Sequence, residues 1–178
     1  EILYREIAQI RASDENKIPS LRYFLKREDG KSLIKNSIIY CATHEQGEEV
    51  GRVLNELGLT FTLNFSEVPS EQQKSLNELE NNDLDTIINC HVLSEGIDIK
   101  SLENIIMLHS YSSRLETIQR VGRCIRIDPN NPEKIANVVD VVLYKEYKDS
   151  ETNDTIRSEL ERRDWLMGIA KIREDKSG

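Results

Sequence analysis

A chain of 178 residues, 38% apolar and 31% charged, fits one ordinary soluble domain that can bury a core without disulfides or metals. No uninterrupted apolar stretch approaches the roughly 20 residues that cross a bilayer, which excludes a membrane protein. A formal charge of −8 argues against a bulk electrostatic grip on nucleic acid, so any such contact is local or shared with a basic partner domain.

Residues 1 to about 30 carry apolar residues at helical spacing, first Leu3, Ile7 and Ile10, then Leu21, Phe24 and Leu25, and read as two connecting helices. Ser37-Ile38-Ile39-Tyr40-Cys41 is a short β-rich run of the kind buried in a parallel sheet. Thr43 is a natural N-cap with Gln46 at the capping-box position. The helix that follows has Val50, Val53, Leu54 and Leu57 on one face and Gly58 to end it. A strand is expected near Thr60 to Leu63, then a helix capped by Ser70 with Leu76 and Leu79 facing inward. Strands at Thr86 to Cys90 and Asn104 to Leu108, a helix from Arg114 to Ile125 and a strand from Asn137 to Leu143 continue the alternation. The chain closes with a charged helix from about Thr152 to Arg173, whose sticky side is Trp165, Leu166, Ile169 and Ile172. Strands alternating with helices predict an α/β fold with a mostly parallel sheet and helices on both faces.

Cys41, Cys90 and Cys124 are odd in number and widely spaced, which suggests neither a disulfide framework nor a paired-cysteine zinc site. That usage fits a reducing, cytoplasmic setting. The start at Glu1 has neither an initiator Met nor a secretory leader, and the chain reads as an excised piece.

Three segments could carry chemistry. Gly30-Lys31-Ser32 imitates the end of a phosphate-binding loop, but Leu25 stands where that loop needs its first glycine and a charged helical stretch precedes it, so a turn with exposed charge is expected. Asn89 to Ile99 is a strand breaking into a polar loop, Ser94-Glu95-Gly96-Ile97-Asp98, at the strand end where open α/β sheets gather ligands. A tight turn with Asp98 bonding its own backbone is the structural alternative. His91 and Cys90 lack further ligands at metal-binding spacing. In the third segment, Gln119, Arg123 and Arg126 fall at i, i+4 and i+7, on one helix face, with Leu115, Ile118, Gly122 and Ile125 expected to pack on the other. The planar, permanently charged fork of arginine suits phosphate oxygens. Spacing alone leaves open an exposed basic face paired with carboxylates.

Taken in order, these segments resemble the C-terminal motor domain of superfamily 2 helicases. Ser37 to Leu54 resembles motif IV, Val92 to Ile99 motif V and Gln119 to Arg126 motif VI, over roughly residues 35 to 145. The resemblance implies a RecA-like three-layer sandwich spanning 34–150, entered through 1–33 from a first motor domain and followed by a helical extension at 151–178. It implies ATP with Mg2+ held mainly by that first domain of the same polypeptide. Arg126 would be the arginine finger toward the γ-phosphate, with Arg123 beside it and Gln119, Gly96 and Asp98 near the nucleotide. Thr43, His44, Asn89, His91 and Ser94 would lie nearer a nucleic-acid backbone. Motif VI departs from the best-known RNA-helicase form: Gln119 replaces its initial His, and Cys124-Ile125 its Thr-Gly. With Val92-Leu93-Ser94-Glu95-Gly96-Ile97-Asp98 in motif V, the chain is more similar to DNA translocases of the restriction and repair type. A non-catalytic binding or regulatory module that keeps this scaffold is the alternative. A dinucleotide-binding oxidoreductase is disfavoured because no Gly-x-Gly-x-x-Gly turn follows the first strand.

Overall fold

The computed structural model describes residues 2–11, 17–90, 102–109, 118, 121–122, 134–144, 154–170 and 172–175. Its centre is a seven-stranded sheet made of β1 (Ile2–Arg11), β2 (Ser37–Tyr40), β3 (Phe61–Asn64), β4 (Thr86–Asn89), β5 (Asn104–Met107), β6 (Ala136–Tyr144) and β7 (Ile172–Asp175). The strands lie in the order β3-β4-β2-β5-β6-β1-β7, and every pairing is parallel. Parallel neighbours need crossovers, and the helices that supply them cover both faces of the sheet. That is why β2, β4 and β5 are buried at every position and read as unbroken apolar runs rather than as alternating ones.

On one face α1 (Lys17–Leu25), α2 (Glu28–Ile34) and α3 (His44–Glu56) bury Leu21, Phe24, Ile34, Val50 and Leu54 against Ile39, Ile88, Ile106 and Val139. On the other, α4 (Pro69–Glu80) and α5 (Asp154–Ile169) bury Leu76, Leu79, Leu166 and the following Ala170 against Ile38, Ile87, Ile105 and Val138. The two sets of strand residues are one position apart, as the two-residue period of a strand demands.

The ends of α3 follow the sequence. Gln46 N–H donates to the Thr43 hydroxyl at 3.2 Å, while the Gln46 side-chain oxygen reaches back to Ala42 N–H at 2.7 Å, one residue earlier than the usual capping box. At the other end Gly58, at φ +71°, lets Leu59 N–H reach the Leu54 carbonyl and its own N–H reach that of Asn55. This is a Schellman closure. The helix expected to be capped by Ser70 starts instead at Pro69, after Val68, with no side-chain cap bond. Proline at the first helical position gives up only an N–H that would have had no helical partner.

Two corrections concern the flanks. Ile2–Arg11, expected as a helix, is a strand paired with β6 and β7. Its register shifts between Glu6 and Ala8, which breaks the two-residue alternation and makes the spacing of Leu3, Ile7 and Ile10 look helical. The C-terminal helix ends at Ile169 rather than continuing to Arg173, and Ile172 begins β7. Gly168 weakens the last turn of that helix, and Ile169, expected on its sticky side, is 40% exposed.

The buried face of α5 is partly ionic. Arg162 donates two bonds to Asp140, Nε to Oδ2 at 3.1 Å and Nη2 to Oδ1 at 2.7 Å, and Asp140 sits in β6 between buried Val139 and Val141. One turn before it, Glu159 takes the Lys17 ammonium, and Lys17 also donates to the Leu108 carbonyl at 2.6 Å. A buried charge whose partner is removed keeps its desolvation penalty, whereas an apolar pair of similar volume does not. Asp140→Ala is therefore expected to cost about 3–5 kcal/mol in urea unfolding, and Asp140→Leu with Arg162→Met to recover most of it. Equal losses in the single and double variants would show that packing, not charge, sets the cost.

Candidate functional site

In a parallel sheet all carboxyl ends of the strands lie along one edge, and ligands gather there. The exits of β2 and β4 are adjacent on that edge. Tyr40 is in register with Asn89, and Cys41 N–H continues the ladder to the Asn89 carbonyl at 2.9 Å. Just beyond, the Cys90 thiol donates to the Thr43 carbonyl at 3.0 Å, which ties the two exits together. Of the residues expected near nucleic acid, Thr43, His44 and Asn89 are thus brought to one edge. Thr43 and His44 are exposed there, whereas the Asn89 side chain is fully buried between Asn64 of β3 and Tyr40 of β2 in register. Burial gives Asn89 a place in the support of the edge rather than on its surface.

The start of α3 makes a contact that sequence reading missed. His44 stacks on Phe65, the residue after β3, with ring centroids 4.3 Å apart and planes within 4°. Phe65 in turn lies over Gly47, where a Cβ would stand 2.7 Å from the ring, so the position needs glycine for close approach. The available signal was an aromatic residue immediately after a strand, and nothing in the sequence paired it with position 44.

Thr43 is heavily committed. Its hydroxyl accepts from Gln46 N–H and bonds the Glu45 carboxylate. Glu45 is consequently held below the ordinary carboxylate range, first by a bond from its own backbone N–H, then by Thr43, with a smaller contribution from His44 and with burial opposing. An anionic side chain therefore already occupies the positive end of α3.

Arg123, Arg126, Gln119, Gly96, Asp98, His91 and Ser94 lie outside the described residues. Next to and among the first three, Ile118, Val121 and Gly122 are helical. Val121 is buried in the core cluster it shares with Leu166 and Val138, Ile118 is 41% exposed, and a Cβ at Gly122 would meet nothing within 4 Å. The packing face of this turn is carried by Val121 and not, as expected, by Ile118 and Gly122.

Gly30-Lys31-Ser32 is no phosphate loop, and it forms part of helix α2 rather than the turn expected. Lys31 is paired with Glu28 at 2.8 Å, and the Ser32 hydroxyl donates to the Asp29 carbonyl at 2.8 Å. Gly30 is needed because a Cβ there would lie 2.1 Å from the Phe24 carbonyl oxygen, where α1 and α2 meet. Among the described residues no group of three His, Cys, Asp or Glu could hold a metal ion, and no helix is long and apolar enough to cross a membrane.

Comparison with known proteins agrees with this architecture. The C-terminal domain of the DEAD-box protein Dbp5 superposes with a TM-score of 0.67 at 16% identity, over 98% of this chain and 89% of that one. T4 UvsW superposes with a TM-score of 0.64 at 17% identity, over 99% of this chain and 41% of that one. Both likenesses are of fold. In sequence, UvrABC system protein B of Clostridium beijerinckii is 22% identical over 143 residues, 77% of this chain and 22% of its own length. The chain spans less than a quarter of the length of the curated relatives it matches. The family described as helicase conserved C-terminal domain matches residues 16–128. With that match over most of its length and a RecA-like sheet beneath it, the chain belongs to the helicase C-terminal domain family of superfamily 2 helicases.

Proposed function

We propose that this chain is the second motor domain of an ATP-dependent helicase or translocase, supplying arginines to ATP and Mg2+ held by another RecA-like domain of the same polypeptide. In this reading Arg126 is the arginine finger, Arg123 stands beside it, and Gln119, Gly96 and Asp98 border the nucleotide. The observation that carries it is the burial of Val121. At about 100° per residue, Val121 is roughly opposite Gln119, Arg123 and Arg126 on a helix. If the helical spacing holds through this segment, the three would face away from the side that buries Val121. The commitment of Gly30, Lys31 and Ser32 to α2 supports placing the phosphate-holding loop on the other domain.

The nucleic-acid contact in this reading lies along the carboxyl edge of the sheet, at Thr43 and His44, supported from beneath by Asn89 and continued through His91 and Ser94. DNA is the proposed polymer. Gln119 at the head of motif VI and Val92 to Asp98 in motif V support it, and so does sequence similarity to UvrABC system protein B. A domain with a net charge of −8 can take part when only a few phosphates touch it and the groove is shared.

In the full polypeptide, Arg126→Ala is expected to lower nucleic-acid-stimulated ATP hydrolysis by about 10³-fold or more while leaving nucleotide binding intact, because the finger stabilises charge that develops only in the transition state. Unchanged turnover would remove Arg126 from that role. Glu45→Gln takes a negative charge from the proposed contact edge. We expect it to tighten single-stranded DNA binding several-fold in low-salt fluorescence anisotropy, with the gain disappearing as salt screens it. An affinity equal to that of the unaltered protein would take the start of α3 out of the interface.

A further inference from the structure

Phe65 follows the last residue of β3, and its half-buried ring makes two contacts at the carboxyl edge of the sheet. It packs on Gly47 of α3, where a Cβ would stand 2.7 Å away, and it stacks on His44, with ring centroids 4.3 Å apart and planes within 4°. His44 and Gly47 are three residues apart and so share a helix face, across which a single flat ring can lie. Phe61 lies in the same way on Gly51, where a Cβ would meet it at 2.9 Å. The two glycines thus let aromatic rings fill the seam between β3 and α3. His44 itself belongs to neither core cluster and is exposed. Phe65 backs one face of its imidazole, so the exposure is at the other face and the ring edge.

A nucleic-acid strand can offer such a ring either a phosphate or a base. The surroundings of His44 disfavour the phosphate. An anion at the start of α3 would need the backbone N–H groups of Glu45 and Gln46, and these already bond the Glu45 carboxylate and the Thr43 hydroxyl. Glu45, Glu48 and Glu49 are all exposed near the same end of the helix, and each repels an approaching phosphate. A neutral base meets no such repulsion. Its flat face matches a flat ring, in a contact open to every base because each has a π-face. We infer that His44, backed by Phe65, is a stacking platform for one unpaired nucleobase of a strand crossing the carboxyl edge. Phe65 is the positioning residue of this platform: it sets the plane of the imidazole without having to touch the strand. The inference rests on the nucleic-acid contact proposed above and names its chemistry at this point.

The test separates base from backbone. In the full polypeptide, His44→Ala is expected to weaken binding of single-stranded oligothymidylate about fivefold or more in fluorescence anisotropy. On a strand of the same length made of abasic residues, the variant and the unaltered polypeptide are expected to bind equally. His44→Phe, which keeps a flat ring and removes the imidazole nitrogens, is expected to restore the affinity for oligothymidylate. Phe65→Leu keeps an apolar side chain over Gly47 but gives no flat support, and an intermediate loss is expected, again absent on the abasic strand. A strand carrying iododeoxyuridine is expected to cross-link to His44 on irradiation. Equal weakening on the abasic strand would assign the contact to phosphate or sugar and overturn the inference. An unchanged affinity in His44→Ala overturns it too, as does a His44→Phe variant that binds no better than His44→Ala. Full affinity in a folded Phe65→Leu variant removes the positioning role, and should that variant fail to fold, the two His44 variants decide, since a change at this exposed position leaves both core clusters intact. If the unaltered polypeptide binds no single strand at all, the nucleic-acid reading itself falls. A strand bound equally well with and without the His44 ring removes the platform alone.

Discussion

A lysine ammonium shut away from water is tolerable only where acceptors surround it, and the placement of Lys17 depends on that rule more than on any apolar contact. Its acceptors come from β5 and α5, so the start of α1, the exit of a central strand and the C-terminal helix must be in place together. One turn along α5, the Arg162–Asp140 pair repeats the logic against β6. Apolar burial supplies the cohesion of the two core clusters. The ionic contacts supply register, which cohesion alone leaves loose.

The carboxyl edge of the sheet shows the same division of labour. The strands beneath it are apolar and rigid, and their last residues turn polar: Asn64 on β3, Asn89 on β4 and, past β2, Thr43. What projects from that edge is braced by neighbours, His44 by Phe65 and Thr43 by Gln46, Glu45 and Cys90. In the contact proposed above, a nucleic-acid strand at this edge would meet groups already held by neighbouring bonds, which would lower the ordering cost of binding.

Much of this was legible in the sequence. The unbroken apolar runs at Ser37, Thr86 and Asn104 could only be strands covered on both sides, and Thr43 with Gln46 marked a helix start that the hydrogen bonds reproduce. The motif order placed the chain in its family before any coordinates. What escaped reading had physical causes. The bulge in β1 disguised a strand as a helix, and proline opened α4 where a serine cap was expected. The buried charges escaped because a Lys, an Asp, a Glu and an Arg in a sequence with 31% charged residues look like surface. The Lys17–Glu159 pair spans most of the chain and the Asp140–Arg162 pair crosses from strand to helix, and no local pattern encodes either. Among Ile118, Val121 and Gly122 the packing side was misjudged because Ile118 and Gly122 seemed the better core residues, whereas Val121 is the one that is buried.

The strand order has a consequence for how the chain reaches this state. β2, β4 and β5 pair within one contiguous stretch of sequence and can assemble as soon as it exists, with β3 beside them. β1 is made first but finds its partners last, since Leu3 pairs with Asn137 of β6 and Ile172 of β7. Loop closure over such a span is slow, and until it happens the first strand waits with both edges open. The β1 side of the sheet therefore closes only once residues as far along as Ile172 are available to pair with it.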